Sequence, residues 1–143
     1  MHCNRKLIIT TSVFGLVLLC GLFFPGEAQE GQTRLAHANG NGTLRVGDEQ
    51  FKIFSATVKL LPDHTAEIII ASDITIFLTA TWSNHTDSPH QFNLEFAGSA
   101  SRGGLEGTGQ ATLSDDGKTL KRLTLKGVSR ATKRGVEADF EGK

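Results

Sequence analysis

Tyrosine is absent from this chain, tryptophan occurs once, and the only cysteines are Cys3 and Cys20. The core must therefore rest on Phe, Ile, Leu and Val. Beyond residue 20 there can be no disulfide framework and no thiol nucleophile. No stretch of a dozen residues spaces its apolar side chains at a helical period, which excludes a helical bundle. Net charge is lacking as well: 15 basic residues balance 15 acidic ones. A near-neutral chain is not a typical nucleic-acid binder, so no nucleic-acid partner is expected.

What is present begins with a leader. "MHCNRK" is basic, "LIITTSVFGLVLLCGLFF" is apolar, and small residues follow at Gly26 and Ala28. That is the pattern of a secretory signal peptide, residues 1–28, cleaved after Ala28. The expected location is secreted, periplasmic or cell-surface. The apolar run from Leu7 to Phe24 is 18 residues long, just enough for a membrane span, so an uncleaved anchor is the alternative. The same run is expected to be the only long helix. Leu18 and Leu19 before Cys20 do not fit a lipoprotein cleavage site.

Residues 29–41, "QEGQTRLAHANGN", lack clear periodicity and read as a flexible lead-in. Residues 42–143 read as a single β domain, large enough to fold around its own core. In "ITIFLTATW", Ile74, Ile76, Leu78, Ala80 and Trp82 share one side, and Thr75, Phe77, Thr79 and Thr81 the other. Such half-buried alternation belongs to antiparallel sheets with one wet face. Turn chemistry separates the strands at "VGDEQ", "LPDHT" and "SDDGK". The expected fold is all-β, with about eight antiparallel strands in an up-and-down meander closing as a small barrel or curled sandwich. The strands are placed near 42–47, 50–61, 65–72, 74–83, 90–98, 106–114, 119–129 and 134–141. Their expected inward set is Phe54, Val58, Ile68, Ile70, Ile74, Ile76, Leu78, Trp82, Phe92, Leu94, Phe96, Leu113, Leu123, Leu125 and Phe140.

Charge fixes the register. Leu125 opposite Ala138 puts Leu123 on Phe140, Lys126 on Glu137 and Arg122 on Glu141. An earlier hairpin matches Val58 with Ile68 and Lys59 with Glu67. Favourable cross-strand pairs contribute about 0.2–1 kcal/mol each. There is also a hint of duplication. "GNGTLRVGDEQFKIFSATVKL" aligns without gaps to "GTGQATLSDDGKTLKRLTLKG" 67 residues later, with five identities in 21 positions. Both copies break alternation at one place: Ile53 is followed inward by Ala56 and Val58, and Leu120 by Leu123 and Leu125. Such a break marks a β-bulge, which bends a strand as closure requires.

The densest polar loop is "TWSNHTDSPHQF". His85, Asp87 and His90 are metal-capable, and Asp63 and His64 occupy a turn that a meander brings to the same end. Zinc requires three or four ligands converging at about 2.0–2.3 Å. The spacing here is not a strong signature, whereas Asp87-Ser88 before Pro89 suits a turn. The expectation is a solvent-facing loop, no metal and no cofactor. "GKT" at 117–119 fails as a phosphate loop because Thr112 stands where a glycine is required. No nucleophile elbow occurs, and no catalytic residue is assigned.

From Lys118 to Arg134 seven basic residues occur with no acid. The register uses Arg122 and Lys126, leaving Arg130, Lys133 and Arg134 as candidates for anion binding. Sequons stand at Asn41 and Asn84, acceptors only in a host that glycosylates. An outer-membrane barrel is excluded because the outward positions are Thr, Glu, Lys, Arg and Asn rather than an apolar band. The functional expectation is a non-enzymatic β domain binding an anionic surface, a protein partner or a ligand. The alternative is a metal-dependent enzyme using the His85, Asp87 and His90 loop.

Overall fold

Alternation of apolar and polar residues carries directly into eight strands in the computed structural model, which describes residues 31–98 and 104–143. They are β1 (Arg34–Val46), β2 (Glu49–Leu60), β3 (Thr65–Ala71), β4 (Thr75–Asn84), β5 (Gln91–Ala97), β6 (Leu105–Leu113), β7 (Leu120–Ser129) and β8 (Gly135–Gly142). Each pairs antiparallel with its successor and β8 returns to β1, so the meander closes into a barrel rather than a sandwich. The leader helix expected over residues 7–24 lies outside the described residues, as do both cysteines.

The charge-based register holds. Leu125 faces Ala138, Leu123 faces Phe140, and Lys126 faces Glu137 with Nζ 3.2 Å from its carboxylate. Val58 faces Ile68, and Lys59 reaches Glu67 at 3.4 Å. Arg122 stands opposite Glu141 as expected, and its guanidinium turns diagonally to Asp139 at 3.2 Å.

Three expectations need correction. Strand β1 begins at Arg34, so residues 34–41 are strand and not lead-in. Its inward positions there are Ala36, Ala38 and Gly40. Small inward side chains add little hydrophobic signal, which hides the alternation. Phe54 points outward and is 49% exposed, while Ile53 is fully buried. Ile74 ends the turn before β4 and is 40% exposed. Ile76 and Trp82 do pack on the core, but only partly buried.

The Phe54 reversal has a physical cause. The β1–β2 register shifts between the pairs Asn39–Ser55 and Gly42–Ile53, where Gly40 and Asn41 of β1 stand against Phe54 alone. The β6–β7 register shifts between Thr112–Arg122 and Leu113–Leu120, at Lys121. Phe54 and Lys121 are equivalent in the 67-residue alignment. The extra residue, on β1 at the first shift and at Lys121 of β7 at the second, lets the sheet bend and keeps the buried set inside on both sides of the kink. Both shifts also mark where a third strand joins, since β2 pairs with β3 from Ser55 and β7 with β8 from Arg122.

Closing eight strands leaves an interior just wide enough for side chains. Here it is filled by a single apolar cluster including Leu44, Ile53, Ile70, Phe92, Phe96, Leu123 and Phe140, with no buried polar residue among those described. Large residues lie beside inward glycines: one cross-strand row runs Phe96, Gly107, Gly127, Val136. A methyl group on Gly107 would collide with the Lys126 carbonyl and with Gly127, and one on Gly40 with the Glu141 carbonyl and the Phe140 ring. Those glycines set how tightly the sheet coils.

Candidate functional site

The meander gathers the turns after β2, β4 and β6 at one end, called here the lower end, where β1 starts and β8 stops. His64, His85, Asp87 and His90 all lie in these turns, but each serves a separate local purpose. Asp63 Oδ1 accepts the Thr65 N–H at 2.9 Å, and that bond holds its carboxyl below the ordinary value. The tight turn puts His64 in the left-handed region at φ 67°. Its ring then lies against Trp82, centroids 4.7 Å apart, with Nδ1 3.2 Å from the Trp82 carbonyl oxygen. Trp82 donates its indole N–H to the Leu61 carbonyl at 2.8 Å and meets Phe92 edge-on. The Arg34 guanidinium stands 5.5 Å from the centre of the other ring in that contact, Phe92. This stack caps the core at the lower end.

In the next turn His85 Nδ1 accepts the Asp87 N–H at 3.2 Å, a local turn bond. His90 points elsewhere, its Nε2 3.5 Å from Asp115 Oδ1 in the β6–β7 turn. Among the described residues no three His, Cys, Asp or Glu side chains converge enough to hold a metal ion. In the same β6–β7 turn, a bond from the Ser114 hydroxyl and one from the Lys118 N–H lower the Asp116 carboxyl below its ordinary value.

The basic candidates lie at the opposite, upper end, in the β7–β8 turn. Arg130 crosses Gly98 and reaches Glu106 at 3.3 Å; Arg134 crosses Gly47 and approaches Glu49 at 4.0 Å. Each arginine thus fastens its hairpin to a neighbouring turn and is already matched by a carboxylate. Lys133 takes φ 59° and is exposed. It alone of the three has no side-chain partner among the described residues.

Two unlike walls make up the outside. Four of the six exposed large apolar side chains, Phe54, Ile69, Ile74 and Phe77, belong to β2–β4 and the turn between β3 and β4. Ile69 and Phe77 stand directly opposite one another there. The wall formed by β5–β8 and β1 is mostly polar, with Leu35 and Val128 as its exposed large apolar residues, and its ion pairs include Arg45–Glu137, Lys126–Glu137 and Arg122–Asp139. Sequence reasoning missed this division. Its signal was there in the outward residues of β4, which include no charge, but only closure shows which strands share a wall. No protein-family model, curated protein or solved structure matches the chain.

Proposed function

We propose that this is a secreted or periplasmic β domain that binds a partner from its outer wall and carries out no chemistry of its own. The observation that carries the reading is the filled interior: the inward side chains of all eight strands form one buried apolar cluster. A ligand inside would have to displace that packing, at a cost of several kcal/mol, typically about 2–5 for each large side chain lost from a core. The leader sequence supports export. The metal-dependent alternative through His85, Asp87 and His90 has no converging ligand set among the described residues to support it.

Site-specific photo-cross-linking in the native host tests the reading. In the full chain, a photoreactive residue replaces Ile69 on the apolar wall or Thr108 on the polar wall, both outward-facing on the barrel. A discrete adduct is expected from at least one position. Absence of any adduct from both, at normal levels of exported protein, would reject an outer-wall binding role.

A further inference from the structure

The polar wall is not flat. Two shallow grooves run into one another, sharing Thr124 and Leu125 in their linings. A single cross-strand row forms the floor: Thr43, Asp139, Thr124, Gln110 and Asn93, on β1, β8, β7, β6 and β5 in turn. The adjacent row carries longer side chains on three of those strands, Arg45, Glu137 and Lys126, and continues through Thr108 to Glu95. Short residues beside long ones make a trough across the strands. It covers four strand spacings, roughly 19 Å at about 4.8 Å each.

Charge in the trough cancels. Its lining includes two cations, Arg45 and Lys126, and two carboxylates, Glu137 and Asp139. Glu137 lies between Arg45 at 3.9 Å and Lys126 at 3.2 Å, and Asp139 is paired with Arg122. Hydroxyls and amides remain. Gln91 donates to Gln110 at 2.8 Å, and Gln110 donates to Asn93 Oδ1 at 3.4 Å, which aligns the three amides. The Asn93 amide nitrogen and the hydroxyls of Thr43, Thr108 and Thr124 make no hydrogen bond among the described residues. The trough therefore offers both donors and acceptors, and the formal charges of its lining sum to zero.

We propose that this trough binds a linear, uncharged, hydroxyl-rich glycan. Sugar hydroxyls donate and accept at once, as amides and hydroxyls do. An anionic ligand would meet like charge at Asp139 and a cationic one at Arg45, and a purely apolar one would leave the amides and hydroxyls of the floor unpaired. Each such bond replaces one to water and adds little, so occupancy requires several sugar units along the row. The proposal rests on the outer-wall reading and names the wall and the ligand class.

Native gels cast with a soluble neutral glucan or an anionic polyuronate, run on the exported protein as purified from its host, test it. The neutral glucan should retard the protein. Thr124→Arg, which places bulk and charge on the floor, and Asn93→Ala with Gln110→Ala should each weaken retardation at least about tenfold. Ile69→Thr on the opposite wall should leave it unchanged, and circular dichroism checks that each variant is folded. No retardation by the glucan, stronger retardation by the polyuronate, or retardation indifferent to a folded Thr124→Arg each overturns the glycan proposal. If cross-linking still gives an adduct from Ile69 or Thr108, only the glycan falls; if neither position gives one, the outer-wall reading falls with it.

Discussion

Trp82 holds together three neighbours at once: the His64 ring, the Phe92 edge and the Leu61 carbonyl. It is partly buried rather than wholly enclosed, because His64 covers it only on one side. Trp82→Ala should destabilise by about 3 kcal/mol, the low end for a core aromatic. Trp82→Phe keeps most of the packing and loses the indole bond, about 1 kcal/mol. Urea unfolding measures both, and equal losses for the two variants would show the hydrogen bond, not the ring, to be decisive. The two turn aspartates give a pH dependence with a definite sign. Folding lowers the carboxyls of Asp63, through the Thr65 N–H, and Asp116, through the Ser114 hydroxyl, below 3.8. A carboxyl lowered by folding adds stability above its unfolded value and loses it as pH falls through the folded one. Stability should thus decline as pH drops below about 3.8, and Asp63→Asn with Asp116→Asn should flatten that decline. An acid limb unchanged in the double variant would contradict this.

At the scale of the element, the bulges decide which side chain is structural. Ile53 and Phe54 are neighbours of similar hydrophobicity, one fully buried and the other 49% exposed. Ile53→Ala should cost about 2–5 kcal/mol, whereas Phe54→Ser should stay within about 0.5 kcal/mol. The reverse order in thermal unfolding would mean that β2 is out of register. Glycines give a second contrast. Gly107→Ala drives a methyl into the backbone of β7, while Gly135 has open space around its Cβ position and no left-handed φ. Gly107→Ala should destabilise by about 1–3 kcal/mol as overpacking does, and Gly135→Ala should be neutral. Similar unfolding midpoints for the pair would remove the steric account of barrel curvature.

For the molecule as a whole, every ion pair among the described residues is at least partly exposed. Such pairs contribute about 0–1 kcal/mol each and weaken with salt. The apolar interior should therefore dominate, and molar salt should shift the urea midpoint little. A large loss of stability in salt would show that the arginine fastenings from Arg130 to Glu106 and Arg134 to Glu49 matter more than their exposure suggests. Closure also distributes function. The interior is occupied, and the polar trough and the apolar patch lie on different sets of strands of the outer surface.

Local sequence patterns determined the all-β class, the strand order and most of the register. Period-two alternation and opposite charges, as at Lys126 and Glu137 or Lys59 and Glu67, are properties of pairs of short segments. The same patterns located both kinks, because a bulge leaves a two-residue gap between inward side chains at Ile53–Ala56 and Leu120–Leu123. Alternation written in Ala and Gly was illegible at Arg34–Asn41, where the inward residues bury little apolar area. Only the tertiary structure closed β8 onto β1, separated His64, His85 and His90 into unrelated contacts, and matched Arg130 and Arg134 with carboxylates. Those outcomes depend on which turns share an end of the barrel and which way long side chains lean. The trough from Thr43 to Asn93 is likewise a row across five strands, and Thr43 becomes a neighbour of Asp139 only when β8 closes onto β1.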